Sequence, residues 1–242
     1  MTAFRSGLFN VLFYGLTTLM AISGLPLLLG PRRWTCGWRN LWIKLSLWCL
    51  TWSVGLRHEV RGLEHLGDGQ VLVAAQHQSA WETLALHLAI DDPALALKRE
   101  LYRIPLFGWY LSKVKMAAID RSGGASALKR MVTDARRLAD AGRPLLIFPQ
   151  GTRVSPGTKA PYLPGVFALY KALGRPCVPV ALNSGFFWGR AAFTKRPGTI
   201  TLAFLEPIAP GLSRAEFMTT LETRIETTTA ALAAEASAQL GK

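Results

Sequence analysis

The chain has 242 residues, of which 50% are apolar and 18% are charged, and its formal net charge is +13. This length suffices for one sizeable core, but the apolar fraction is too high for an ordinary soluble domain. The basic excess indicates attraction to a polyanion, which composition alone leaves open as nucleic acid, an anionic membrane face or an acidic protein.

The N-terminus carries most of the apolar excess. Residues 7–31 contain no charged side chain, and residues 8–29 are almost wholly apolar. As a helix they would extend roughly 33 Å, about the hydrocarbon thickness of a bilayer. No A-x-A-like cleavage site follows, which argues against a secretory signal. We therefore predict a membrane-associated helix, and the sequence leaves open whether it crosses the bilayer or re-enters.

A tryptophan-rich segment follows at residues 34–56. Its first three tryptophans recur every four residues, so on a helix they share one face. Tryptophan favours the membrane–water boundary and basic residues favour anionic headgroups, although such a helix can also simply pack on the main domain. Arg32, Arg33, Arg39 and Lys44 all follow the first helix, which predicts that this side is cytoplasmic, as at a bacterial inner membrane. We expect membrane-associated helices over residues 1–55 and the main domain over 56–242.

The main domain alternates β-rich runs with helical stretches, which is typical of an α/β layered domain with a mixed sheet flanked by helices. Predicted strands cover residues 71–75, 94–98, 114–119, 144–148, 177–182 and 199–205. Predicted helices cover residues 79–90, 125–141, 165–173 and 213–239, the last opened by a capping box of Ser213 and Glu216. Cys36, Cys49 and Cys177 have no C-x-x-C spacing, so neither a disulfide framework nor a metal site is predicted.

His77 and Glu82 form the first candidate site. With His77 in the loop after strand 71–75 and Ser79 as N-cap of the next helix, Glu82 projects from the first turn. Strand ends of this kind usually bind ligands in α/β domains. A carboxylate on one imidazole nitrogen fixes the tautomer and supports the charge formed when the other nitrogen takes a proton. Alternatively, Ser79 and Glu82 are only a capping box, in which Glu82 satisfies backbone donors.

The segment 149–153 forms the second candidate site, directly after strand 144–148. Gly151 permits a tight turn and close approach to a ligand. Arg153 offers a planar charged fork that suits two phosphate oxygens, and Thr152 adds a hydroxyl group. The alternative for this segment is a loop with a solvated arginine.

Two more basic residues follow predicted strands. Arg121 comes after strand 114–119, so it can reach the same sheet edge as Arg153, or else pair with Asp120. Lys98 ends strand 94–98 within a charge cluster that is unremarkable by itself.

Taken together and in this order, these blocks resemble the 1-acylglycerol-3-phosphate acyltransferase family, the PlsC-type lysophospholipid acyltransferases. The first block there is a histidine followed five residues later by an acid, usually aspartate, where this chain has Glu82. The second block ends in Arg121, and the third is Phe-Pro-Glu-Gly-Thr-Arg, with Gln150 in place of the glutamate. The fourth is the strand Val178-Pro179-Val180. An intermediate segment also resembles that family, in the residues Lys98, Glu100, Leu101, Ile104, Pro105, Phe107 and Gly108.

The resemblance implies an enzyme that moves a fatty acyl group from acyl-carrier protein or acyl-CoA to the sn-2 hydroxyl of lysophosphatidic acid, giving phosphatidic acid. It implies that His77 is the general base, oriented by Glu82, and that no metal or cofactor takes part. The residues it implies for the substrate phosphate are Arg121, Gly151, Thr152 and Arg153, with Lys98 and Gln150 in support. Membrane lipids are the expected partners, nucleic acid is not, and the oligomeric state stays open.

Two alternatives remain open at this point. The acceptor can be another lyso-lipid, such as lyso-ornithine lipid, whose head group lacks the phosphate. The chain can also be a non-catalytic membrane protein that binds anionic lipids through its positive charge.

Gln150 replaces the glutamate that is usual in the family. Because this substitution removes a repulsion near a phosphate and glutamine can still form hydrogen bonds, we predict an active protein.

Overall fold

The computed structural model describes residues 1–119 and 124–241. The helices are α1 (Thr2–Ser23), α2 (Arg32–Val54), α3 (Trp81–Ala89), α4 (Phe107–Val114), α5 (Gly124–Asp140), α6 (Gly165–Leu173), α7 (Ser184–Phe187) and α8 (Arg214–Gln239). The strands are β1 (Leu56–Arg61), β2 (Leu72–Ala75), β3 (Ala94–Lys98), β4 (Ala117–Ile119), β5 (Leu145–Ile147), β6 (Cys177–Leu182) and β7 (Gly198–Phe204).

The strands form one mixed sheet in the order β1-β7-β6-β2-β5-β3-β4. Strands β6, β2, β5, β3 and β4 run parallel, while β7 pairs antiparallel with β6 and parallel with β1. The predicted mixed sheet flanked by helices is therefore confirmed. Because the five parallel strands share a direction, the loops after them emerge at one edge, called here the carboxyl edge.

Side chains alternate across the sheet and build two apolar layers. On one face Val73, Leu146 and Val178 pack against α2, α3, α4 and part of α1. On the other face Leu72 and Leu145 pack against α5, α6 and the first half of α8. This period of two is what buried strands require. The N-terminal helices and α5 therefore lie on opposite sides of the sheet.

Helix α1 begins and ends earlier than predicted. It ends at Ser23 rather than at residue 29 because Pro26 has no N–H to continue the helix, and Leu25–Leu28 forms a 3-10 turn. By length and composition it is the one span candidate in the described chain, with a mean hydropathy of 1.4 and 17% of its window buried. Phe9 is buried and its ring meets Trp188 edge-on at 5.3 Å, so α1 lies along the main domain.

The tryptophans of α2 divide between two environments. Trp38 Nε1 donates to the Met20 carbonyl at 2.9 Å and Trp42 Nε1 donates to Thr17 Oγ1 at 3.0 Å, so both contact α1. Trp34, Trp48 and Trp52 are instead 52–63% exposed. Two of the first three tryptophans thus pack on α1, which differs from the alternative above, in which the helix packs on the main domain.

Strand β1, helix α4 and the short helix α7 were not predicted. Strand β1 is an edge strand whose last five residues are all exposed, so it shows no apolar pattern. Helix α4 ends at Val114, inside the predicted strand 114–119, and strand β4 is shortened to Ala117–Ile119.

His87, on α3, makes stability depend on pH. Burial, reinforced by the charge of Arg39, lowers the pKa of His87 to about 4. Histidine in an unfolded chain has a pKa of about 6.5, so the unfolded state takes up the proton first as the pH falls. We expect stability to be lost as the pH falls from about 6.5 to 4, by roughly 3 kcal/mol in full. Denaturant unfolding of wild type and His87→Gln at pH 7 and pH 5 tests this, since equal pH dependence of the two would contradict it.

Candidate active site

The two predicted sites meet at the carboxyl edge. Strands β2 and β5 are neighbours in parallel register, with Val73 opposite Leu146, so the loops after them emerge together. The backbone N–H of Val154 donates to the carbonyl of His77 at 2.8 Å and joins the two loops directly. The structure therefore brings the His77 block and the Gly151–Arg153 block into one site.

His77 contacts Glu82, as its predicted place in the loop before α3 led us to expect. His77 Nδ1 lies 2.8 Å from Glu82 Oε1, and the Glu82 side chain is fully buried while that of His77 is 13% exposed. Since a carboxylate only accepts, Nδ1 carries the hydrogen and Nε2 is the nitrogen with a free lone pair. No described residue forms a hydrogen bond with Nε2. The ring stacks on Phe148, with centroids 4.0 Å apart, which fixes its plane.

Glu82 accepts three further hydrogen bonds. Its Oε1 also accepts from the backbone N–H groups of Gln78 at 2.7 Å and Ser79 at 2.6 Å, and its Oε2 accepts from Ser184 Oγ at 2.8 Å. Four donors around one buried carboxyl group suit a carboxylate held in a single position. Glu82 therefore contacts the imidazole and also satisfies backbone donors of the preceding loop, although the predicted capping box with Ser79 does not form.

The sequence led us to expect Ser79 as the N-cap of α3, but the structure has Ala80 at that position. The helix begins at Trp81 after Ala80, and Ser79 Oγ accepts from the Trp81 N–H at 3.1 Å. The bonds from Gln78 and Ser79 to Glu82 hold this loop in a turn, so the helix starts two residues later than predicted.

Gln150 ties the second loop to the histidine. Phe148–Gly151 is a β-turn closed by a 2.9 Å bond from the Gly151 N–H to the Phe148 carbonyl, and Gly151 has a φ of 67°. Gln150 is buried, and its Oε1 accepts from the backbone N–H of His77 at 3.1 Å. An amide oxygen therefore fixes the histidine backbone without adding a buried charge.

This contact predicts different outcomes for two substitutions of Gln150. Glutamate can accept the same bond, so we expect Gln150→Glu to keep turnover within about threefold, because a bond of this kind is worth only ~1 kcal/mol net. Gln150→Leu leaves the His77 N–H unpaired, so we expect it to lower the unfolding free energy by about 1–3 kcal/mol. Turnover and denaturant unfolding of both variants test this. A rise of more than about tenfold (~1.4 kcal/mol) in Gln150→Glu would show instead that Gln150 impairs this chain.

The predicted phosphate-binding residues are only partly described. Arg153 is partly buried, and within residues 1–119 and 124–241 its guanidinium forms no hydrogen bond or ion pair. Thr152 is exposed beside it, and Lys98 is exposed at the end of β3. Arg121, with Asp120, lies outside the described residues.

Three buried polar residues of the site had not been predicted. Gln78 Oε1 accepts from the Gly185 N–H at 2.9 Å, its Nε2 donates to Gln76 Oε1 at 3.1 Å, and Ser184 donates to Glu82. Thr229 of α8 also donates to Gln76, at 2.7 Å. The glutamines flank His77 in sequence, and Ser184 follows a strand that ends at the same edge. These positions are the sequence signal from which the three residues could have been predicted.

Among the described residues, no group of three or more His, Cys, Asp or Glu side chains is placed to hold a metal ion. Besides the buried amides and Ser184, this edge carries one imidazole with a free nitrogen, its buried carboxylate and the Arg153 guanidinium, which pairs with none of the described residues. Such a set can take a proton from an alcohol and hold an anionic group nearby.

Comparison with known proteins gives consistent matches. A family model described as Acyltransferase matches residues 57–183. A 1-acyl-sn-glycerol-3-phosphate acyltransferase of Pseudomonas aeruginosa is 38% identical over 159 residues, covering 66% of this chain and 62% of that protein. One of Limnanthes alba is 28% identical over 158 residues, covering 65% of this chain and 56% of that protein. The chain thus spans less than two thirds of these relatives.

A solved structure has the same fold over nearly the whole chain. It is the 1-acyl-sn-glycerophosphate acyltransferase PlsC from Thermotoga maritima, with a TM-score of 0.78 and 21% sequence identity. The match covers 96% of this chain and 98% of that one, so it includes the N-terminal helices as well as the sheet.

Proposed function

The chain belongs to the acyltransferase family, and on that premise we propose that it acylates the sn-2 hydroxyl of lysophosphatidic acid to give phosphatidic acid. The acyl donor in this proposal is a thioester of acyl-carrier protein or coenzyme A. The observation that carries the proposal is the 2.8 Å contact of His77 Nδ1 with Glu82 Oε1, which leaves Nε2 free at the carboxyl edge. The names of the relatives support the choice of acceptor.

The reaction then follows from the histidine. Nε2 takes the proton of the acceptor hydroxyl as its oxygen forms a bond to the thioester carbonyl carbon. The tetrahedral intermediate collapses, the carbon–sulfur bond breaks, and the sulfur leaves with the proton that His77 held. Glu82 stabilises the imidazolium between these two steps. Neither an acyl-enzyme nor a cofactor is needed, and holding the two substrates together supplies much of the rate.

Arg153 is assigned to the substrate phosphate, together with Thr152, Gly151 and Arg121. Arg153 directly precedes Val154, whose N–H is bonded to the His77 carbonyl, so its backbone is fixed relative to the base. Its guanidinium is available to two phosphate oxygens. Lys98, at the end of β3, and Gln150 are assigned supporting roles.

Arg153→Ala is expected to act mainly on acceptor binding. A charge-assisted hydrogen bond contributes about 1.5–3 kcal/mol, so we expect the KM for lysophosphatidic acid to rise ~10- to 100-fold with a smaller change in kcat. The control is a neutral acceptor such as monoacylglycerol, for which any residual rate should not change. Initial rates over a range of acceptor concentrations measure both, and an equal loss for the two acceptors would contradict the assignment.

We assign the exposed apolar side of α1 and α2 to the membrane, and call it the hairpin face. It comprises Phe4, Val11, Tyr14, Leu19, Ile22, Trp34, Leu41, Leu45, Trp48 and Trp52. Side chains of this kind are stabilised by a bilayer, and the +13 charge favours its anionic cytoplasmic leaflet, in bacteria the inner membrane. Since α1 packs along the main domain, we propose that α1 and α2 together lie in the membrane–water interface.

The test is acyl transfer by the purified full chain in detergent. It is incubated with lysophosphatidic acid or lyso-ornithine lipid, each with acyl-carrier-protein and coenzyme A thioesters. We expect phosphatidic acid from the first acceptor. Transfer to lyso-ornithine lipid alone would overturn the acceptor, and transfer to neither acceptor would overturn the enzymatic proposal in favour of a lipid-binding protein.

A further inference from the structure

We propose that residues 103–109, called here the α4 turn, form a second membrane contact within the main domain, for an anionic phospholipid surface. The proposal rests on the membrane association proposed above and extends it beyond the N-terminal helices. This is the part of the intermediate segment of the sequence that the proposed chemistry leaves without a role.

The α4 turn exposes large apolar side chains at close spacing. Ile104 is 46% exposed, Phe107 44% and Trp109 55%, and Pro105 between them is exposed as well. Outside the hairpin face, the other large exposed apolar side chains of the described chain are single, such as Leu128 on α5 and Leu163 before α6, or form the pair Val60 and Leu63. Three within six residues make a patch, and exposed apolar patches mark interaction sites.

The backbone of the α4 turn is strained and closely packed. Leu106 has a φ of 63°, which is rare for a residue other than glycine and costs about 1–3 kcal/mol. The Gly108 N–H donates to the Ile104 carbonyl at 2.8 Å, and a side chain at Gly108 would collide with the Tyr102 carbonyl. This turn holds Ile104 and Phe107 on the solvent side, outside the core to which α4 contributes Leu111 and Val114.

The α4 turn lies beside the end of α1, close to the hairpin face. Tyr110 Oη, one residue after Trp109, donates to the carbonyl of Ala21 in the last turn of α1 at 2.8 Å. The next residue of α1 is Ile22, which belongs to the hairpin face and is 56% exposed. Helix α4 also packs beside α2, on the same side of the sheet. One surface occupied by lipid therefore covers both.

The charges around the turn fit anionic lipid. Arg103 is exposed inside it, and Lys98 and Arg99 are exposed just before it, against one exposed acid, Glu100. Basic residues beside an exposed tryptophan are typical of the membrane–water interface, and each adds about 1 kcal/mol near an anionic surface. An acidic soluble protein would match these charges but not the aromatic and aliphatic side chains. Because Lys98 ends β3 at the carboxyl edge, this contact would hold the candidate site against the bilayer that supplies its acceptor.

The test compares Trp109→Glu and Ile104→Glu with Leu128→Glu as a matched control. Leu128 is 37% exposed on α5, across the sheet from the hairpin face, and its substitution adds the same charge. The full chains are mixed with vesicles of phosphatidylethanolamine and phosphatidylglycerol and separated by flotation. We expect each α4-turn variant to bind vesicles at least ~10-fold more weakly than wild type, and the control to bind within twofold. We also expect wild-type affinity to fall on vesicles of phosphatidylcholine alone.

Each outcome decides the proposal. Turnover of a short-chain acceptor in detergent should stay near wild type in all variants, which shows that they fold. Binding equal to that of Leu128→Glu in both α4-turn variants would overturn the contact. Should one variant not fold, the other alone decides. Binding that does not depend on phosphatidylglycerol would overturn the preference for anionic lipid. Absence of acyl transfer by wild type would overturn the proposed function while leaving the flotation result to stand.

Discussion

His77→Ala is expected to lower kcat about 10³-fold while the folded state persists, because a positioned general base contributes ~10²- to 10⁴-fold. The imidazole is partly exposed and stacks on Phe148, so its removal opens a small space at the surface rather than in the core. Binding of the phosphate group does not use this ring, and we therefore expect a KM close to that of wild type. Single-turnover rates with saturating donor measure the chemical step.

The matched control for this variant is His58→Ala. His58 is exposed on β1, and its ring packs against Trp81 but forms no hydrogen bond with a described residue of the candidate site, so we expect the rate of His58→Ala to stay within about twofold of wild type, a change of ~0.4 kcal/mol. Unfolding in denaturant confirms that both variants are folded. Unchanged acyl transfer by His77→Ala would refute the role of His77 as general base. An equal loss of rate in both variants would show that the loss comes from lower stability.

The central fold follows from local sequence pattern. β2, β5 and β6 are short apolar runs buried on both faces, and the turn residues between such runs mark their ends. β1 lacks such a run, since it lies at the edge and is held by pairing with β7, a partner about 140 residues later. Pairing at that distance leaves no trace in local periodicity.

The candidate site also combines one contact that local sequence predicts with contacts that it does not predict. The contact of His77 with Glu82 spans five positions, and the strand–loop–helix context was enough to predict it. Ser184 reaches the same carboxylate from a segment 102 residues away, and Gln150 reaches the His77 backbone from 73 residues away. Both contacts exist because β6 and β5 flank β2, an order that is set by packing of the whole sheet.

Glu82→Gln is expected to lower kcat about 10²-fold with little loss of stability. The amide oxygen can occupy the position of Oε1 and accept the same three bonds from His77, Gln78 and Ser79. The amide nitrogen then faces Ser184 Oγ, which can accept instead of donate. The tautomer of His77 is thereby kept, so the loss is smaller than the ~10⁴-fold found where such a change inverts the tautomer. What remains is loss of the negative charge that stabilises the imidazolium.

Glu82→Ala and Glu82→Asp separate this charge from the packing of the site. Alanine leaves four donors without an acceptor in a fully buried space. Each donor left unpaired costs about 1–3 kcal/mol, so we expect the unfolding free energy of Glu82→Ala to be several kcal/mol lower than that of wild type. Aspartate keeps the charge, but its carboxylate is one methylene short of the donors that the loop and Ser184 hold in place. We expect an intermediate loss of turnover, about tenfold or ~1.4 kcal/mol in the barrier.

Rates and denaturant unfolding of the three variants decide how Glu82 acts. A role confined to backbone capping predicts that turnover follows stability, with Glu82→Gln as active as wild type. Orientation and charge support for His77 predict instead that Glu82→Gln is stable and slow. Glu82→Asp would then turn over faster than Glu82→Gln despite the poorer fit. Full activity in the glutamine variant would leave His77 without an electrostatic partner, and the proton acceptor would have to be sought elsewhere at the carboxyl edge.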